Sequence, residues 1–121
     1  MLQYCRQSHR MAKTTSNSNL CPVVNALSVI GERWTLLILR DLFANPSRRF
    51  QDFRESLTGC APNTLSARLK TLESHGLIER RMYEQHPPRL EYMLTEKGRK
   101  TAPVLRALRQ WGASLRESSD K

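Results

Sequence analysis

Acidic residues are scarce in this chain. There are 11 against 20 lysines and arginines, a formal net charge of +9. Such an excess favours polyanionic partners, either nucleic acid or an anionic membrane surface, and does not choose between them. Long apolar runs are missing too. No stretch approaches the roughly 20 residues of a membrane span, so no membrane partner is expected. The basic N-terminus has no apolar segment behind it and is not a secretory signal, which makes a cytoplasmic location the expectation. Cys5, Cys21 and Cys60 are an odd number at unrelated spacings, which argues for reduced thiols and against a disulfide scaffold. Cys5 and His9 stand at C-x3-H spacing, but no second ligand pair follows at zinc spacing; His75 and His86 fit solvated positions, and no metal is expected. There is no Gly-rich phosphate loop, no HExxH and no GxSxG. The carboxylates are scattered among bases along helices, so neither catalysis nor a cofactor is expected. Stacking aromatics are missing from the basic face, which counts against single-stranded RNA.

What is present centres on Ala61 to His75. Leu65, Leu69 and Leu72 recur at i, i+4, i+7, an apolar stripe one residue wide. The other side carries Asn63, Thr64, Ser66, Ala67, Arg68, Lys70 and Thr71, small polar or basic groups, with only Glu73 acidic. Pro62 suits a first helical residue, and Gly76 suits the left-handed position after the last. A short helix anchored on one side and hydrogen-bonding on the other fits the major groove of DNA. Taken alone it also fits an ordinary solvated face; its surroundings decide.

At 121 residues the chain holds one domain with tails. Residues 1–19 form an expected flexible basic tail with Arg6, Arg10 and Lys13, and Met11 is an alternative start. The spacing predicts a first helix over 22–30, with Val23, Ala26, Leu27 and Ile30 on one side and Gly31 at its end. A second is predicted over 32–44. Trp34, Leu37, Ile38 and Leu42 make one apolar face and Leu36, Leu39 and Phe43 another, so this helix is expected at the centre of the core. After the turn Asn45-Pro46-Ser47 and the pair Arg48-Arg49, Phe50, Phe53 and Leu57 predict a short third helix over about 50–57. Thr58-Gly59 then leads into the central stretch, which makes a helix-turn-helix. Residues 77–83 and 89–94 are strand-like around a proline-bearing tip at 85–88. Arg80, Arg81, His86 and Arg89 surround this hairpin, as in a wing that follows the DNA backbone. Thr95 caps a last helical segment that Pro103 is expected to kink or restart. Beyond it Val104, Leu108, Trp111 and Leu115 repeat at i, i+4, i+7, i+11, a seam of the kind that joins subunits. Residues 117–121 are an expected polar tail, leaving 20–116 as the DNA-binding and dimerisation unit.

Several ordered motifs now stand together: Cys21-Pro22, Gly31-Glu32-Arg33-Trp34-Thr35, Ile38-Leu39-Arg40-Asp41-Leu42, Arg49-Phe50, Leu65-Ser66-Ala67-Arg68-Leu69-Lys70, Gly76-Leu77-Ile78-Glu79-Arg80 and Pro88-Arg89-Leu90-Glu91-Tyr92-Met93-Leu94-Thr95. Over about residues 20–115 the chain resembles the HxlR-type transcriptional regulators, bacterial winged helix-turn-helix proteins of MarR-like architecture. It departs from them in two places. Asn45-Pro46-Ser47 stands where a glycine is common, and Cys60-Ala61-Pro62-Asn63-Thr64 opens the recognition helix where many members have Ile-Ser-Pro and a basic residue, which alters the bases read. The resemblance implies an α+β, mainly α fold with a β-hairpin wing. It also implies a homodimer through the first and last helices (Val23 and Leu27 with Val104, Leu108, Trp111 and Leu115) on an inverted-repeat operator, usually as a repressor.

On that frame Asn63, Thr64, Ala67 and Arg68 are assigned to base edges, and Ser66, Lys70, Thr71 and Arg49 to phosphates. Arg80, Arg81, His86 and Arg89 go to the wing. Some members of the family sense oxidants or electrophiles through a cysteine at the position of Cys21. A helix start also favours thiolate, so an oxidant or other small-molecule effector is an expected partner. Cys60 ranks second, and an inert buried thiol is the alternative for either. A winged helix used for protein contacts, without specific DNA binding, is the competing reading of the whole chain.

Overall fold

The computed structural model describes residues 21–119, with side chains to Arg116. The expected basic tail 1–19, with Cys5 and His9, lies outside the described residues. Pro22 opens α1 (Pro22–Ile30). Glu32 starts α2 (Arg33–Ala44) as its N-cap, accepting the backbone N–H of Trp34 at 3.1 Å. Of α2, Thr35, Ile38, Leu39, Asp41 and Leu42 are buried. This helix packs on α1, on both helices of the helix-turn-helix, on the second strand of the hairpin and on the last helix, so the doubly apolar pattern does mark the centre of the core. Phe43, placed on the second apolar face, is exposed instead.

Helices α3 (Phe50–Ser56) and α4 (Pro62–Ser74) complete the helix-turn-helix. Phe53, Leu65 and Leu72 are fully buried, and Leu69 nearly so. At the end of α4 the Leu77 N–H donates to Leu72 O and the Gly76 N–H to Glu73 O, each at 3.0 Å. This pair of hydrogen bonds needs the left-handed residue that Gly76 supplies at φ 77°.

The hairpin pairs β1 (Ile78–Gln85) with β2 (Pro88–Leu94). Its register runs from Ile78 opposite Leu94 to Gln85 opposite Pro88, with a bulge between Met82 and Glu84. The strands are longer than the sequence suggests, because Pro88 starts its strand where a missing N–H costs little. The turn is His86-Pro87, joined by a cis peptide. Arg48 adds a bridge on the far side of β2: its N–H donates to Tyr92 O at 2.9 Å, and Tyr92 N–H donates back at 2.7 Å.

Thr95 caps a single turn, α5 (Glu96–Arg99), by accepting the Gly98 N–H at 3.0 Å. Gly98 lies so close to Leu77 O that a Cβ has no room there. The chain then restarts as α6 (Ala102–Ser119), with Pro103 in its first turn, as the proline requires. This helix runs on into the segment expected to be a polar tail from 117. Among the described residues no single helix is long and apolar enough to cross a membrane.

Candidate nucleic-acid interface

The face of α4 follows from its anchoring. Leu65, Leu69 and Leu72 hold one side in the core, so Asn63, Ala67 and Lys70 are exposed while Thr64, Ser66, Arg68 and Thr71 are half-buried. No side chain caps α4 at Ala61. The N–H groups of its first turn are therefore left for an anion such as a phosphate. Thr71 spends its hydroxyl proton inside the helix, on Ala67 O at 3.0 Å. It can still accept a bond, but its donor is engaged.

Arg68 is less available than a base-reading arginine needs to be. Its Nε stands 3.5 Å from Glu32 Oε1, in contact with the residue that caps α2. The same Nε is buried without a hydrogen bond. To fork onto a guanine the side chain has to leave Glu32. Lys70, by contrast, has no carboxylate within salt-bridge distance among the described residues.

The three arginines of the wing are each ion-paired. Arg80 reaches back to Glu73 of α4 at 3.0 Å, Arg81 crosses to Glu91 at 2.9 Å and Arg89 to Glu84 at 3.3 Å. Two of these pairs follow from the register, which sets Arg81 opposite Glu91 and Arg89 opposite Glu84. His86 stands exposed at the tip. The Arg81 guanidinium, followed by a hydrogen bond from Ser47, holds the Glu91 carboxyl below its ordinary range. Exposed pairs of this kind are weak, so phosphates can take over the guanidinium forks without a large loss.

Arg49 is bound most fully. Its Nε and Nη2 donate to Asp52 at 3.2 and 3.0 Å, and its backbone N–H donates to the same carboxylate at 2.9 Å. Asp52, and after it Tyr83, raises the guanidinium above its already high value. Arg49 in turn lowers the Asp52 carboxyl. A carboxylate whose folded pKa is depressed stabilises the fold above its unfolded value and ceases to as pH falls through the folded one. Asp52→Asn is therefore expected to be slightly less stable than the parent at neutral pH. The gap should narrow as pH falls below the ordinary carboxylate range and close below the depressed pKa of Asp52, which melting curves from pH 7 down to pH 1.5 will show.

Three residues that hold this surface together stand in the sequence with no partner to mark their role. Asp41 is buried, with Oδ1 bonded to Arg40 at 3.1 Å and Oδ2 at 3.8 Å from Arg48. It faces the charge of Arg48, whose backbone seats β2, without a hydrogen bond to it. Glu32 and Glu73 are the others, each taking a cation placed elsewhere in the chain.

Cys21 is the N-cap residue of α1 and only 3% exposed. Cys60 is half-buried; burial, with Glu32 second, pushes its thiol up. That leaves Cys60 less thiolate at neutral pH and weakens the case for it as a sensor.

A helix-turn-helix followed by an antiparallel hairpin is shared by many regulators, and similarity decides among them. A family model described as HxlR-like helix-turn-helix matches residues 29–120. The chain belongs to that family. Its relatives include an uncharacterized HTH-type transcriptional regulator of Synechocystis, 39% identical over 99 residues that make up 82% of this chain and 73% of that one. Among solved structures, the redox regulator HypR in its oxidized form is 35% identical with a TM-score of 0.73, over 78% of this chain and 96% of that chain. The reduced form of the transcriptional regulator YodB from B. subtilis is 32% identical with a TM-score of 0.66, over 76% and 90%. The protein is accordingly a transcriptional regulator of the DNA-binding helix-turn-helix class with the winged fold of MarR-like architecture.

Proposed function

We propose that this HxlR-like regulator binds a palindromic operator in duplex DNA as a homodimer and represses transcription there, at the nucleoid in the cytoplasm. Residues 20–116 form the working unit. One observation carries the dimer. Val23 and Leu27 of α1 line a single apolar groove of about 400 Å³ with Val104 and Leu108 of α6, and Trp111 and Leu115 extend the same exposed row. A contiguous exposed apolar surface of this kind marks an interface. A two-fold axis there gives two copies of α4 for successive major grooves, about 34 Å apart. The ion-paired wing favours the second reading, a winged helix used for protein contacts. The uncapped start of α4 and the unpaired charge of Lys70 favour DNA.

Base reading is assigned to Asn63, Thr64, Ala67 and Arg68, and phosphate contacts to Ser66, Lys70, Thr71, Arg49, Arg80, Arg81, His86 and Arg89. Arg68→Ala is expected to cost roughly 1–3 kcal/mol of operator affinity and relax one base position. Arg81→Gln is expected to weaken every sequence alike and reduce the salt slope by about one. Fluorescence anisotropy with operator and scrambled duplexes across a salt series separates the two behaviours. Equal losses on both duplexes for Arg68→Ala would remove it from the base readers.

Cys21 is assigned as the thiol sensor. It starts the helix that carries Val23 and Leu27, so oxidation or adduction there acts on the interface. HypR, a redox regulator by name, has been solved oxidized and reduced, which supports this reading. Diamide is expected to abolish operator binding by the parent protein and to spare Cys21→Ser. Equal sensitivity of the two proteins would exclude the residue.

A further inference from the structure

A crevice opens where α6 leaves α2. Arg40, Phe43, Ala102, Leu105, Arg106 and Arg109 line it, around a cavity of about 170 Å³. Three arginines thus line one small space, and no acidic residue lines it. Arg40 is bonded to Asp41 at 3.1 Å. Among the described residues no carboxylate comes within salt-bridge distance of Arg106 or Arg109. The crevice continues into a trough of about 510 Å³ that shares Arg40, Leu105 and Arg109 and adds Gly31, Arg33, Leu36, Leu37 and Leu108, with Arg33 stacked over the Trp34 ring at 4.5 Å.

A second copy of the chain does not suit the arginine end. At 3.6 residues per turn, Ala102, Leu105, Arg106 and Arg109 fall on one side of α6, and Val104, Leu108, Trp111 and Leu115 fall on the other. A dimer built on the apolar row leaves the crevice open. A dimer centred on the crevice would set these arginines against their own symmetry mates. Charge complementarity calls for an anion, and the leucine walls call for an apolar chain behind it.

We propose that this crevice binds a single-chain amphiphile with one anionic head group. Arg40, Arg106 and Arg109 hold the head, and the chain lies along Leu36, Leu37 and Leu105. The far end of the trough reaches Leu36 and Leu108, which also line the groove assigned to the dimer. The head-group end does not depend on the operator reading.

Isothermal titration of the full-length protein with octanoate, octyl phosphate and octanol tests this. At least one of the two anions is expected to bind in a saturable manner, about tenfold or more tighter than octanol. The better of the two identifies the head as carboxylate or phosphate. The variant R106Q/R109Q changes two exposed side chains and should fold normally by circular dichroism. It is expected to bind that anion no better than octanol. The proposal is overturned if octanol matches both anions, if the double variant keeps the anion preference, or if neither anion binds at millimolar concentration. None of these results touches DNA binding, which anisotropy reads separately.

Discussion

A chain carrying both Leu108→Asp and Trp111→Asp is expected to sediment as a monomer and to lose operator affinity by about 10²–10⁴-fold. Trp111 is 64% exposed and Leu108 41% exposed, so neither holds the isolated fold together. Their replacement should leave the far-ultraviolet spectrum and the helix content unchanged. What is lost is the partner. Two carboxylates facing their own symmetry mates oppose association, and each monomer then has one α4 and one half-site. The second recognition helix no longer gains from being tethered to the first. Non-specific binding, which depends on phosphates and salt, should fall much less. A monomer that still binds the whole operator with parental affinity would show that the apolar row serves some other purpose.

Phe53→Ala is expected to lower stability by about 3–5 kcal/mol, a large share of what a domain of this size has. The ring is fully buried and meets Tyr92 edge-on, with centroids 6.1 Å apart and planes at 61°. Through that contact α3 is pinned to β2, at the residue whose backbone also bonds Arg48. Deleting the ring leaves a cavity between the helix-turn-helix and the base of the wing. Urea unfolding measures the loss, and a change below about 1 kcal/mol would mean that the site collapses around the smaller residue.

Much of this architecture is legible in the sequence because local chemistry and global fold agree. Pro22, Pro62 and Pro103 stand in first turns, Gly76 takes the only kind of backbone that closes α4, and Leu65, Leu69 and Leu72 keep one helical period. The double apolar face of α2 announces its central place. The wing was less legible, since a strand that begins with Pro88 contradicts the usual meaning of proline. The site was partly legible. Which side chains crowd the face of α4 follows from periodicity. Which of them are engaged does not, because Arg68 meets Glu32, Arg80 meets Glu73 and Arg48 meets Asp41 across different elements. Charges counted along the chain overstate how many cations stand unpaired. The arginine crevice was invisible for the same reason: Arg40 comes from α2, while Arg106 and Arg109 come from α6.

The most direct measurement is selection of random-sequence duplex DNA by the purified protein in reducing buffer, followed by sequencing. A dimeric HxlR-like regulator reading DNA through α4 predicts one enriched palindrome with half-sites about one helical turn apart. Retention of DNA with no enriched sequence, or enrichment of a single unrepeated half-site, would contradict it.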